Sequence, residues 1–288
     1  MEKIRLSLRE FPRLAHENLT IIVKSAVIIF ATIAVFFQDL SILFSDALQS
    51  ETTSYILVIP FMIAFLIYRK RKVIKAVIPS ESSKLYKIPV NEAIGALLFL
   101  VSFLFYWYGS YTFTPLDYHI LVLPVFASAC ILIFFNTATL KQLAFPIFLL
   151  FLLVPPPEEI LYNIGASLST LSSLLAYNLL KILSFPVSLG EESGMPTIYL
   201  SPPNSSPVPY EVDLACSGIY SLIGFFVFAL FVAYLIRDKS WKKPVMFLIG
   251  FPLIYLLNVF RIFILVVIGY YASRDLAFDL FHLFGGWM

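Results

Sequence analysis

Residues 244–271 read PVMFLIGFPLIYLLNVFRIFILVVIGYY, a stretch of 28 residues in which Asn258 is the only amide and Arg261 the only charge. As a helix rising about 1.5 Å per residue, it is long enough to cross a hydrocarbon core of about 30 Å. Similar apolar runs lie at about 19–37, 54–68, 93–109, 118–135, 143–155 and 212–236. The whole chain is 60% hydrophobic and 13% charged, with a mean hydropathy of +0.89. A soluble domain is about half apolar and a quarter charged. Lipid offers no partner to an open backbone group, so a chain of this kind closes its hydrogen bonds inside helices. The expected fold class is all-α: a polytopic transmembrane helix bundle of about seven spans with an amphipathic helix on the outer interface, forming one integral membrane domain over residues 1–288.

Charge position carries more information than the net charge of +2. Lys3, Arg5, Glu10 and Arg13 interrupt the N-terminus, which rules out a cleavable signal peptide there. Nothing resembles a nucleic-acid-binding patch, and membrane lipids are the partners composition implies. Cys130 and Cys216 form neither a disulfide framework nor a metal spacing, and three scattered histidines make no metal site, so no cofactor is expected.

Lys and Arg in short loops set orientation. Arg69, Lys70, Arg71, Lys72 and Lys75 follow the second run, and Arg237, Lys239, Lys242 and Lys243 follow the sixth. Both loops are expected inside, with the basic N-terminus and Lys141; residues 38–53, 110–117 and 156–211 are then expected outside. Residues 158–186 open with Glu158 and Glu159 after three prolines, and place Asn163, Ser167, Thr170, Asn178 and Lys181 at helical spacing, broken by Leu174. Such a polar stripe suits a helix lying on the interface or lining a cavity. Ser201 to Pro209, with four prolines, reads as an extended loop.

In this topology three reactive residue types fall on one leaflet. Cys216 lies roughly 6 Å below the start of the sixth span and Arg261 roughly 15 Å below the end of the seventh. A cysteine nucleophile needs a nearby cation to favour its thiolate; the bland alternative is a buried cysteine acting as a small hydrophobe. An intramembrane arginine costs about 2.5–3.5 kcal/mol on insertion scales and marks a functional site by default. It can hold a thiolate or an oxyanion, or simply bond backbone carbonyls. Asn258 lies on its helix face, three residues earlier. His282, beyond the seventh span, is a candidate acid/base group, with His119 as its rival at the outer end of the fourth. His16 is expected inside. Cys130, about twelve residues into its helix, lies roughly 18 Å deep, too deep to pair with Cys216.

Cys216-Ser217-Gly218, Asn258-x-x-Arg261 and His282-x-x-x-Gly286, in that order, resemble the exosortase/archaeosortase family. The resemblance covers roughly residues 150–288, including the run ending in Pro155, Pro156 and Pro157 and the amphipathic segment; the N-terminal spans match only in hydropathy. It divides the domain into N-terminal spans at 1–142 and a family-like catalytic region at 143–288. Members are prokaryotic membrane enzymes that recognise a C-terminal signal made of a short motif, an apolar helix and a basic tail. They cleave after the motif and transfer the protein to an acceptor. The resemblance implies Cys216 as nucleophile, Arg261 as stabilising cation and His282 as acid/base partner, with Asn258, Ser217 and Gly218 as binding residues. Some relatives carry arginine at the third position; here it is histidine, with Arg274 nearby. The family's further helix beginning at this histidine has only six residues of this chain to match, so the protein is read as truncated or completed from elsewhere.

The expected function is therefore a cysteine protease or transpeptidase of the cell membrane that acts on sorting signals of exported proteins at the outer face. A transporter or channel is the alternative, since intramembrane charge and Gly/Pro-interrupted helices suit one; the polar residues gather at one leaflet rather than at the midplane. An intramembrane serine protease using Ser217 is a third reading, with no histidine motif at matching depth.

Overall fold

The computed structural model describes residues 2–50, 52–78, 90–111, 116–203, 206–236 and 240–272, together with Leu276 and Asp279. His282, Gly286 and Arg274 lie outside the described residues. The described chain is mostly helix, with one small antiparallel sheet, as an all-α membrane bundle requires. Asn18–Val35, Val90–Gly109 and Lys242–Tyr271 are long and apolar enough to cross a membrane. Three shorter apolar helices and one bent pair, Phe37–Gln49 with Ser54–Val77 at 116°, accompany them.

The chain divides into two compact units. The first holds α1 (Glu2–Val35), α2 (Phe37–Gln49), α3 (Ile59–Val77), α4 (Val90–Tyr111), α5 (Leu116–Phe134) and α6 (Thr137–Phe151). Its core gathers Ile28, Phe36, Leu123, Phe126, Cys130, Ile131 and Ile147. Cys130 is 2% exposed there, the setting of a packing residue. Asn136 caps α6 by accepting the Thr139 N–H at 2.7 Å, and its Nδ2 donates to the Val77 carbonyl at 3.1 Å, tying the end of α3 to the start of α6. Residues 38–53, expected as an outer loop, are largely the helix α2. Asp39, Leu43 and Ala47 recur every four residues and are buried, so one face of this segment has a packing partner and the loop becomes helix.

The second unit holds α7 (Glu158–Ile182), β1 (Val187–Glu192), β2 (Met195–Leu200), β3 (Val208–Glu211), α8 (Ile219–Leu235) and α9 (Lys242–Tyr271). Three prolines and the acidic pair Glu158 and Glu159 open α7, as their preference for a helix N-terminus requires. Its buried face is made of small residues: Gly165, Ser169, Ser172, Ser173 and Ala176, with Leu180. The polar stripe Asn163, Ser167, Thr170, Asn178 and Lys181 is exposed on other faces. Ser167 and Thr170 donate to carbonyls one turn back, at 3.1 and 3.0 Å.

The sheet is an addition to the expected all-helical architecture. β1 and β2 form a hairpin pairing Val187 with Leu200 and Glu192 with Met195. Its two-residue turn, Ser193-Gly194, has φ of 53° and 81°, the geometry that matches strand twist in tight hairpins. β3 pairs with β2, setting Tyr210 opposite Ile198. Ile198, Leu200, Tyr210 and Val212 then pack with Ala176 and Leu180 of α7 and with Val259, Ile262 and Val266 of α9. The stretch 201–209, expected as extended loop, ends in strand because Val208 and Tyr210 present their side chains to this core.

Packing by small residues makes a sharp test. A Cβ on Gly165 would meet the Leu214 side chain. Gly165→Leu should destabilise the solubilised protein by about 1–3 kcal/mol through overpacking, whereas Ser167→Leu on the exposed stripe should stay within about 0.5 kcal/mol. Thermal unfolding in detergent reads both; equal effects would mean α7 does not dock through its small-residue face.

Candidate active site

Between β3 and α8 the chain makes one tight turn, and Cys216 sits in it. Val212 closes the strand by donating its N–H to the Pro196 carbonyl at 3.0 Å. The Asp213 carboxylate then accepts the Cys216 N–H at 2.9 Å, the cap that a short acidic side chain supplies to an N–H three residues on. Residues Ala215–Ser217 form a single 3-10 turn, which Gly218 ends with φ of 85° before α8 begins at Ile219. Cys216 is thus in a capped turn at the head of the helix rather than one turn inside it, as the apolar run starting at 212 suggested. The left-handed Gly218 is what separates the two, since non-glycine residues rarely adopt that conformation.

Two helices hold this turn. From α7, the Ser169 hydroxyl donates to the Val212 carbonyl. Ser172 donates to the Tyr255 hydroxyl at 2.9 Å, and Tyr255 donates onward to the Leu168 carbonyl at 3.0 Å, tying α9 to α7. From α9, Asn258, itself 5% exposed, donates Nδ2 to the Cys216 carbonyl at 2.9 Å. Gly218 makes room for it: a Cβ there would stand 2.8 Å from both Cγ and Nδ2 of Asn258. The motif residues Cys216, Gly218 and Asn258, 42 positions apart at the extremes of the hydrogen bond, are in one contact.

Cys216 is half-buried and packs against the core shared by α7, the sheet and α9. It is a free thiol. Ser217, by contrast, is fully buried; its hydroxyl donates to the Leu214 carbonyl at 2.7 Å and accepts the Ile219 N–H at 3.2 Å. A hydroxyl so enclosed and engaged is a structural group, which favours the thiol over Ser217 as nucleophile. Arg261 is half-buried one turn beyond Asn258 on α9, a rise of about 4.5 Å. The amide of Cys216 is committed to Asp213 and that of Ser217 to the Leu214 carbonyl at 3.3 Å. Charge developing beside the thiol would therefore meet neither of these two amides.

His119 belongs to the first unit. Its Nδ1 lies 3.7 Å from Asp39 Oδ1, and its ring meets Tyr106 edge-on at 5.8 Å. This polar contact joins α2, α4 and α5, so His119 has a structural occupation. Among the described residues no group of three metal-ligating side chains occurs. Hydropathy and motif spacing single out none of Asp213, Ser169, Ser172 and Tyr255. The spacing Asp213-x-x-Cys216 is the signal that could have found the first; Ser169 and Ser172, three apart among small residues, mark a helix face meant for close approach.

The second unit thus sets a half-buried thiol in a capped turn, held by a polar residue of an arginine-bearing helix. The family described as transmembrane exosortase (Exosortase_EpsH) matches residues 47–288, and the chain belongs to that family. It is accordingly, in general terms, a transmembrane sorting transpeptidase or protease. Neither the curated proteins nor the solved structures yield a match.

The Gly218–Asn258 contact is open to test. Gly218→Ala should destabilise by at least about 1–2 kcal/mol, from the left-handed backbone alone. Gly224, in mid-α8 with nothing within 4 Å of its Cβ position, should accept alanine with a gain of up to about 1 kcal/mol. Combining Gly218→Ala with Asn258→Ala should cost less than the sum of the two, because the close approach is relieved; strict additivity in thermal unfolding would show that the contact is not shared.

Proposed function

We propose that this protein cleaves a C-terminal sorting signal from exported proteins and passes the new carboxyl end to an acceptor, with Cys216 as nucleophile. The observation that carries the reading is the 2.9 Å hydrogen bond from Asn258 to the Cys216 carbonyl, which brings the arginine-bearing helix onto the thiol turn. The Cys216 thiolate attacks the scissile carbonyl and a tetrahedral oxyanion forms. Arg261 stabilises it through its planar fork of donors. His282 protonates the leaving amine as the C–N bond breaks, giving a thioester on Cys216. An amine acceptor or water then attacks the thioester and releases the thiol. Splitting the transfer in two lowers the barrier of each step.

The substrate is a protein anchored by its own helix, bearing a short motif before that helix and a basic tail after it. Surrounding lipid supports both partners. The chemistry belongs on the outer face of the prokaryotic cell membrane, because the basic loops at 69–75 and 237–243 favour the inside.

Cys216→Ala should abolish processing at normal protein levels, while Cys130→Ala should be silent; equal loss in both would reduce the effect to packing. Arg261→Lys and Arg261→Ala should each lose at least about two orders of magnitude in turnover, since a compact ammonium does not replace two fixed donors. Lysine activity within a fewfold of wild type would sink the oxyanion role. His282→Ala should impair turnover and His119→Ala should act on stability instead. A cysteine introduced near Ser205 should label in intact cells; labelling only after permeabilisation would overturn the orientation.

A further inference from the structure

The geometry points to Asp213 as a positioning residue that shapes the Cys216 turn and sets the ionisation of its thiol, an inference that rests on Cys216 being the nucleophile. Its carboxylate accepts the Cys216 N–H at 2.9 Å. The carbonyls on either side of the turn are fixed as well: that of Val212 by Ser169 and that of Cys216 by Asn258. Asp213 is thus the one side chain of the turn itself that anchors the nucleophile's amide. Deleting it would free that amide and let the 3-10 turn open.

The same carboxylate places negative charge against the backbone of the residue that bears the sulfur, and a nearby like charge disfavours an anion. Ionisable groups on the elements packed around the turn include Glu211 of β3, Glu158 and Glu159 of α7, Tyr220 of α8, and Tyr255 and Arg261 of α9. Tyr220 lies within electrostatic reach of both Asp213 and Glu158, so these carboxylates share the head of α8. Arg261 opposes them from α9. The thiol therefore has an anion on its own turn and a cation on the helix that Asn258 ties to that turn. Asp213 biases it toward the protonated form, and a protonated thiol is less open to oxidation between turnovers.

The test uses the full-length protein in its membrane, in a Cys130→Ala background so that one thiol is read, with iodoacetamide as probe across pH. Asp213→Asn keeps an acceptor for the amide and removes the charge. The midpoint of its alkylation curve should fall by about one pH unit, making alkylation about tenfold faster well below the midpoint. Its high-pH plateau should stay within about twofold. Arg261→Gln should move the midpoint the other way. Asp213→Ala should lower the midpoint and also lower thermal stability, since the amide loses its partner. An unshifted midpoint in Asp213→Asn, or a Cys216 inert at every pH, would overturn the inference. Should Asp213→Asn fail to accumulate, Asp213→Ser, short and uncharged, carries the measurement; loss of both beside a normal Asp213→Glu would assign the carboxylate to folding alone and overturn it too. The underlying reaction fails separately. Processing that survives Cys216→Ala removes the nucleophile whatever the midpoint does, whereas an unshifted midpoint with processing lost in Cys216→Ala removes only Asp213's effect.

Discussion

The hydrogen bond from Asn258 Nδ2 to the Cys216 carbonyl, 2.9 Å long, joins two segments that have nothing in common along the sequence. One is a long apolar helix that carries an arginine, and the other a tight turn that carries a thiol. Much of the second unit can be read as the means of making that bond. Gly218 is glycine because its backbone is left-handed and because Asn258 occupies the space of a Cβ. α7 presents small residues so that it can lie close to the turn, and its two serines reach the Val212 carbonyl and Tyr255. The sheet closes the far side, feeding β3 directly into Asp213.

Within an apolar surround, each of these polar contacts matters more than it would in water, because an unmade hydrogen bond has no solvent to replace it. The turn meets this constraint by adding side chains of α7, of α9 and of its own Asp213 to its backbone–backbone bonds. That arrangement also limits its chemistry. With the Cys216 and Ser217 amides engaged, neither is left for an oxyanion, and in the proposed reaction a side chain of α9 takes that part. An arginine kept within a long apolar helix is expensive.

The order of the helices was legible because apolar runs report spans almost directly: α4 and α9 lie where the runs at 93–109 and 244–271 put them. The acidic pair after three prolines marked the start of α7 correctly. What the polar stripe on α7 suggested was less reliable, since Asn163, Ser167 and Thr170 drew attention away from Gly165, Ser169 and Ser172 on the docking face. Small residues carry little hydropathy signal, and only a partner at close range reveals their purpose. The sheet was missed for a related reason. Ser193-Gly194 between Leu189 and Ile198 is a recognisable hairpin turn, but a short strand among prolines in a membrane protein looks like loop. Helix α2 lay hidden in the same way, its buried face resting on three residues, one of them Asp39. Within the site, the identities Cys216, Asn258 and Arg261 stood out from sequence. Asp213 did not, because its part in the turn depends on a backbone hydrogen bond that hydropathy does not reveal.

The central claim is covalent: during turnover the substrate's carbonyl carbon is bonded to the sulfur of Cys216. Full-length protein incubated with a signal-bearing substrate, quenched at low pH and digested, should yield a peptide spanning Cys216 that carries the mass of the substrate's amino-side fragment. Hydroxylamine should remove that mass, as it cleaves thioesters. The account predicts this adduct on Cys216 and none on Ser217 or Cys130. Substrate cleaved at wild-type rate with no hydroxylamine-labile adduct on Cys216, or with the adduct on another residue, would contradict it.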